Sequence, residues 1–291
     1  MTGKHTLKAP AKINIGLRVL SKRKDGFHNI ETVFYPISIF DFVSLKLSSS
    51  DIDAIEVIVI HGKNIKLPKI KNEDNICFNA AALFLKKFKI TGHYKIEITI
   101  RKNIPVGAGL GGGSSDAAAV LKIMAKHFRL SAGRKRLLPK LALELGSDVP
   151  FFLAAKPAYA QSRGEKLTPL PKFRIPYKIL VVNPGIHVST PWAFQRLQVS
   201  SYRLQVEKNS LSDTKTFRIS ETKKYTNDFE RVVFKKYPAI GKIKDLMRES
   251  GAEFSLMSGS GSTVYGFYKR EADLRPASKK FTAKRYLVLS V

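Results

Sequence analysis

The clearest alternation in the chain lies at residues 12–20 (KINIGLRVL), where Ile13, Ile15, Leu17 and Val19 share one face and Lys12, Asn14, Gly16 and Arg18 the other. A period of two predicts a half-buried strand whose polar face presents Lys12 and Asn14 side by side. Further strands are predicted at 43–47, 55–60 and 94–100, the last with Ile96, Ile98 and Ile100 on one face. Between the last two, Asp74-Asn75 is a capping pair for a helix through Ala80, Leu83 and Phe84. After Ile100 a strand end gives way to a Gly-rich segment and then an Ala-rich helix. A second helical stretch at 135–145 carries Pro139 near its start and stops at Gly146. Residues 177–183 read as a strand and 200–225 as a polar surface excursion or linker. Helices follow at 229–236 and 239–250, with Gly251 as a C-cap. MSGSGSTVYGFY (257–268) reads as a Gly/Ser loop entering a strand, and the chain closes with a helix and a strand at 286–291. Strands and helices segregate without a strict βαβ rhythm. The expected class is therefore α+β in two halves, 1–160 and 161–291, with no internal repeat.

Composition narrows the picture. With 44% hydrophobic and 25% charged residues over 291 positions, a disordered or collagen-like chain is excluded. The single cysteine, Cys77, cannot form an internal disulfide, and no Cys/His cluster offers zinc ligands, so a cytoplasmic location is expected. Lys4, Lys8 and Lys12 interrupt the region where a signal peptide needs an apolar run, and no stretch of 18 apolar residues occurs. No membrane association is expected.

The net charge of +28 is spread evenly: residues 1–150 hold 25 Lys+Arg against 12 Asp+Glu. A nucleic-acid reader shows a basic stripe with a reading element, and no helix-turn-helix, zinc finger or aromatic RNA-binding signature is present. A generally basic proteome or an anionic substrate is the better match to a distributed positive field, with no nucleic-acid partner expected.

The strongest chemical feature is Pro105-Val106-Gly107-Ala108-Gly109-Leu110-Gly111-Gly112-Gly113-Ser114-Ser115-Asp116. Five glycines within seven residues let a ligand approach the backbone, and the helix that follows offers free N–H groups and its positive dipole end to phosphate. Gly107, Gly109 and Gly112 literally satisfy G-x-G-x-x-G. A dinucleotide site needs an acidic residue about 20 positions on, at the end of a second strand. The basic stretch 127–136 stands there instead. No lysine follows the glycines as a Walker loop requires, and the protein-kinase signatures are missing.

The loop resembles the ATP-binding loop of the GHMP kinases. Three further blocks narrow the resemblance: APAKINIGLRVLSKRKDGFHNIETVF at 9–34, LGSDVPFFL at 145–153 and MSGSGSTVYGF at 257–267. They are similar to the branch that phosphorylates cytidylated methylerythritol, in family order from residue 9 to 267. The resemblance implies a ribosomal-protein-like N-terminal domain, a ferredoxin-like C-terminal domain, and transfer of the ATP γ-phosphoryl group to a tertiary 2-hydroxyl on the non-mevalonate route to isopentenyl diphosphate. It implies Lys12 and Asp148 as catalytic residues, and Asn75 and Lys102 near adenine or ribose. Asn14 and Thr190 are implied near the methylerythritol or phosphates. Phe27 and Phe194 are implied as walls around cytosine, with His28 on its polar edge. Phe27 stands where the family often has tyrosine, so stacking is kept and the phenol hydroxyl is lost. Taken alone, Phe27, His28 and Phe194 read as core or surface residues. Residues 258–262 are expected to close over the site. Mg²⁺ is expected with the triphosphate, its ligands open and Ser115 the one candidate. A monomer or weak homodimer is expected. The rivals are a homoserine- or mevalonate-type kinase and a catalytically silent basic nucleic-acid-binding protein.

Overall fold

The computed structural model describes residues 3–62, 71–197 and 217–291. By contact the chain divides into two compact units: one takes residues 1–11, 38–106 and 111–155, the other 12–37, 107–110 and 156–291. Neither unit is one continuous stretch of the chain. β1 (Gly3–Lys22) and β2 (His28–Ser50) each contribute to both units, because each is roughly twice the length or more of the strand its periodicity predicts.

In the first unit, β2 pairs antiparallel with β4, and β3 pairs parallel with β4 in the register Ile55↔Ile96, Val57↔Ile98, Val59↔Ile100. The elements run β3 (Ala54–His61), α1 (Ile76–Lys87), β4 (His93–Lys102), α2 (Gly112–His127), α3 (Ala132–Lys135), α4 (Leu138–Leu145) and α5 (Val149–Ala154). Along β2 the core-facing positions are Ile37, Ile39, Val43, Leu45 and Leu47, and Asp41 falls in the same register, fully buried. Asn75 caps α1 by accepting from Cys77 N at 2.9 Å, so of the two predicted cap residues it is Asn75 that serves. Cys77 is buried, and that burial pushes its thiol well above the ordinary range. The predicted helix at 135–145 ends as expected at Leu145 but starts later, at Leu138. Proline lacks an N–H and is tolerated only in a first turn, so Pro139 begins α4 afresh after α3 has ended. α2 packs against α1, α4 and α5, and its Ala117, Ala118, Ala119, Leu121 and Met124 are buried.

In the second unit, β2 pairs antiparallel with β5 (Ala158–Ser162), and β5 with β6 (Lys166–Pro169). A second sheet follows from β7 (Lys178–Asn183), α6 (Thr190–Arg196), α7 (Glu230–Lys236), α8 (Pro238–Glu249), β8 (Phe254–Met257), β9 (Val264–Tyr268), α9 (Glu271–Ala283) and β10 (Leu287–Ser290). Its order is β10-β7-β9-β8, all neighbours antiparallel. Strand, helices, two strands, helix, strand in that order is the ferredoxin-like layout, and the α+β class is borne out. The core gathers Leu180, Val182, Ile240, Met247, Val264, Leu274 and Phe281.

Two expectations need correction. β1 is not half-buried: every residue from 11 to 17 is buried, Lys12 and Asn14 included. Of the supposed polar excursion at 200–225, residues 200–216 lie outside the described residues. Phe217 and Tyr225, at the edges of the remainder, are both buried, because their rings stack 5.0 Å apart beside Phe254. Among the described residues no helix is long and apolar enough to cross a membrane.

Candidate active site

In the second unit, glycine-loop residues 107–110 lie against β1 and the Gly/Ser loop that joins β8 to β9. Gly109 has φ +78°, and a Cβ built there would stand 2.1 Å from the Ser258 carbonyl oxygen. Only glycine permits that approach. Hydrogen bonds from three residues tie the loop down. The Lys12 amide donates to Leu110 O (2.9 Å), Thr263 N to Ala108 O (3.3 Å) and Ser258 Oγ to Gly109 O (2.8 Å).

Burial of Lys12 becomes intelligible here. Its Nζ donates to Asn14 Oδ1 at 2.6 Å and to Gly109 O at 3.3 Å, and it lies 5.1 Å from the Phe34 ring centroid. An ammonium is expensive to bury without such partners. Asn14 is held in turn: its Nδ2 donates to Thr32 Oγ1 (3.1 Å), and its carbonyl accepts from Tyr265 OH (2.8 Å). Asn227 Nδ2 donates to both Met257 O (2.7 Å) and Gly259 O (2.8 Å), fixing the Gly/Ser loop that meets Gly109. Thr190, the first residue of α6, shares a 2.7 Å hydrogen bond with Ser260 of that loop. The structure thus brings together Lys12, Asn14, residues 107–110, Thr190 and residues 258–260.

The expected cytosine walls are arranged differently. His28, not Phe27, lies parallel to Phe194, with centroids 4.6 Å apart and planes 14° off. Phe194 meets Phe229 edge-on at 4.8 Å. Phe27 is 45% exposed, and the Arg163 guanidinium carbon sits 3.6 Å from its centroid. Burial, with help from Lys22, holds the His28 imidazole below its ordinary value, favouring the neutral ring.

In the first unit, α2 opens at Gly112, so Gly113, Ser114 and Ser115 form its first turn, while Pro105 and exposed Val106 lead in from β4. Gly111 takes the N-cap position with φ +72°. Lys102 is not a solvated lysine. It is buried, and its Nζ donates to Asp41 and, at 2.6 Å, to Asp116. Burial works against its charge, but the two carboxylates outweigh that and hold the ammonium above its ordinary range. Burial also drives Asp116 up to about 7, Asp41 adding to the rise and Lys102 opposing it. Asp148 occupies the N-cap position of α5, half-buried, with no side-chain capping bond.

Asp41, Asp116 and Asn227 escaped the sequence-based search. Asp116 ends the glycine motif, and Asp41 is the lone polar residue among the buried positions of β2 in the first unit, a signal visible only once the full strand is recognised. For a metal, no cluster of three or more His, Cys, Asp or Glu occurs among the described residues. Ser115 Oγ is buried without a hydrogen-bond partner. Such an oxygen suits a magnesium ion that keeps most of its ligands as phosphate and water.

A glycine loop on a helix N-terminus, a buried lysine against it and a ferredoxin-like second half together define a GHMP kinase. Residues 75–156 match the family model for the GHMP kinases N terminal domain and residues 207–286 that for the GHMP kinases C terminal. The 4-diphosphocytidyl-2-C-methyl-D-erythritol kinase of Methylacidiphilum infernorum (isolate V4) is 40% identical over 264 residues, covering 90% of this chain and 86% of its own. That of Porphyromonas gingivalis is 36% identical, covering 92% and 93%. The chain belongs to the 4-diphosphocytidyl-2-C-methyl-D-erythritol kinase family. A crystal structure of a 4-(cytidine 5'-diphospho)-2C-methyl-D-erythritol kinase is similar at a TM-score of 0.73 and 29% identity, over 98% of both chains. The L. major mevalonate kinase shares the fold at a TM-score of 0.67 and 14% identity, over 99% of this chain and 96% of its own.

Proposed function

We propose that the chain transfers the γ-phosphoryl group of ATP to the 2-hydroxyl of 4-(cytidine 5'-diphospho)-2-C-methyl-D-erythritol, giving the 2-phosphate and ADP. The observation that carries this reading is the buried Lys12 ammonium, held by Asn14 and the Gly109 carbonyl, in a chain with close relatives of that name. Phosphoryl transfer passes through a loose transition state, so catalysis is mainly positioning and charge stabilisation. In this reading the loop amides and the first turn of α2 cradle the triphosphate, and Lys12 stabilises charge on the transferring group. Its neighbours support that role: one hydrogen bond goes to the Asn14 amide oxygen and one to the Gly109 carbonyl, and the two orient the ammonium. Asp148 orients the alcohol and takes its proton. Asn75 serves the nucleoside. Asn14 and Thr190 serve the methylerythritol diphosphate, and Phe27, His28 and Phe194 the cytosine. Mg²⁺ would be held by Ser115 together with the phosphates and would neutralise their charge.

An ADP-release assay tests the reading. ADP should form with the cytidylated alcohol and not with mevalonate or homoserine. Turnover of either of those alcohols in preference, or ADP release that ignores the acceptor, refutes it. The charge of +28 favours one other reading, a silent nucleic-acid binder. Salt-sensitive RNA binding with no ADP formed would support that one instead.

A further inference from the structure

Three side chains from three elements of the first unit meet at the root of the glycine loop: Asp41 from β2, Lys102 at the end of β4 and Asp116 in α2. Lys102 Nζ bonds both carboxylates. The bond to Asp116, at 2.6 Å, is a chord across the loop, joining the residue that ends the strand to one in the second turn of the helix. Asp41 does more than balance charge. Its Oδ1 accepts from Asn103 N at 2.5 Å and Ile104 N at 2.8 Å, the two residues that lead to Pro105. Asn103 Nδ2 returns a bond to Phe40 O at 2.8 Å. Both ends of the loop are thereby fixed to β2.

The cluster is a poor choice if stability alone were at stake. The three side chains are no more than 5% exposed and hold two carboxylates against one ammonium. Asp116 Oδ1 is buried with no hydrogen-bond partner. Well-packed apolar groups commonly replace buried ion clusters at no loss of stability, whereas directional bonds to charged groups fix geometry. The charged or titratable groups acting on Asp116 are Lys102 from β4, Asp41 from β2 and Cys77 from α1.

We propose that Asp41, Lys102 and Asp116 are positioning residues for the nucleotide, a buried lock that sets the two ends of the glycine loop. This rests on the reading that the loop holds ATP, and it gives Lys102 an indirect role in place of an expected contact with adenine or ribose.

Amide hydrogen exchange on the protein without nucleotide tests the lock independently of catalysis. In Asp116→Ala and Lys102→Met, exchange across residues 103–115 should quicken by about tenfold while peptides from β7 and β9 stay at wild-type rates. Steady-state kinetics should show KM for ATP raised by about tenfold, with KM for the alcohol and kcat within about twofold. Asp116→Asn keeps an oxygen acceptor for Lys102 and should restore most of both. If either alanine or methionine variant fails to fold, Asp116→Asn and Asp41→Asn carry the comparison, with smaller changes in the same segment. Unchanged exchange at 103–115, or an increase spread over the whole molecule, overturns the proposal. So does a loss of ATP affinity in Lys102→Met that neither aspartate variant shares, since that marks a direct nucleotide contact. A wild-type protein that forms no ADP refutes the catalytic reading alone and leaves the exchange result to judge the lock.

Discussion

Replacing Gly109 by alanine tests the joint between the glycine loop and the Gly/Ser loop. A Cβ at this position would lie 2.1 Å from the Ser258 carbonyl oxygen, so the two backbones must separate by more than an ångström to reach ordinary contact at 3.4 Å. The backbone angle adds to this: φ is +78°, and a left-handed conformation costs a residue with a Cβ about 1–2 kcal/mol. Gly185, in the same unit, separates the two effects, because its φ is +73° but a Cβ there meets nothing within 4 Å. Gly185→Ala should therefore lose only the conformational part, about 1–2 kcal/mol. Gly109→Ala should lose that and a further overpacking cost of about 1–3 kcal/mol. Relief of the clash also pulls Gly109 O away from Ser258 Oγ and from Lys12 Nζ, which now lie at 2.8 and 3.3 Å. Urea unfolding followed by ADP-release kinetics reads both consequences. Gly109→Ala should be the less stable variant and should lose turnover, while Gly185→Ala keeps it. Two variants equal within about 0.5 kcal/mol, with equal turnover, would show that the loops are not seated on each other as described.

Other outcomes follow from the same geometry. Asp148→Asn should retain ATP binding by calorimetry while turnover falls roughly 10²–10⁴-fold. Lys12→Met should lower kcat roughly 10²–10³-fold, the scale of losing one preorganised charge stabiliser, and Lys12→Arg should not restore it, since a guanidinium cannot fit the bonds to Asn14 and Gly109. Asp116 makes a pH prediction. Its carboxyl sits at about 7 in the folded protein against an ordinary 3.8, so between those values the folded state holds more protons than the unfolded one. Unfolding free energy should then fall as pH climbs from about 4 to about 7, and Asp116→Asn should flatten that part of the profile in urea titrations.

Local chemistry was legible where it depended on neighbours in sequence. The glycine run, the helix opening at Gly112 and the cap at Asn75 are each decided within a few residues. Pro139 belongs with them, for it falls in the first turn of α4 and so sets the start of that helix at Leu138 rather than at 135. Burial was harder to read. Lys12 and Asn14 alternate with apolar residues as a solvent face would, yet they are buried because the glycine loop and Ser258, far along the chain, supply their hydrogen bonds. Lys102 was misleading for the same reason: one of its two partners, Asp41, lies 61 residues away on a strand whose full length periodicity did not reveal. Short strands such as β6 and β8, with four residues each, carry too little pattern to be recognised and are defined by their pairing partners.

Phosphorus NMR of the reaction mixture addresses the central claim most directly, because the proposed acceptor is a tertiary hydroxyl. A phosphate ester on a carbon without hydrogen has no three-bond proton coupling, so the new phosphomonoester should appear as a singlet, in step with loss of the ATP γ signal. A signal split by carbinol protons would place the phosphate on a different hydroxyl, and free inorganic phosphate alone would mean that the alcohol is not the acceptor.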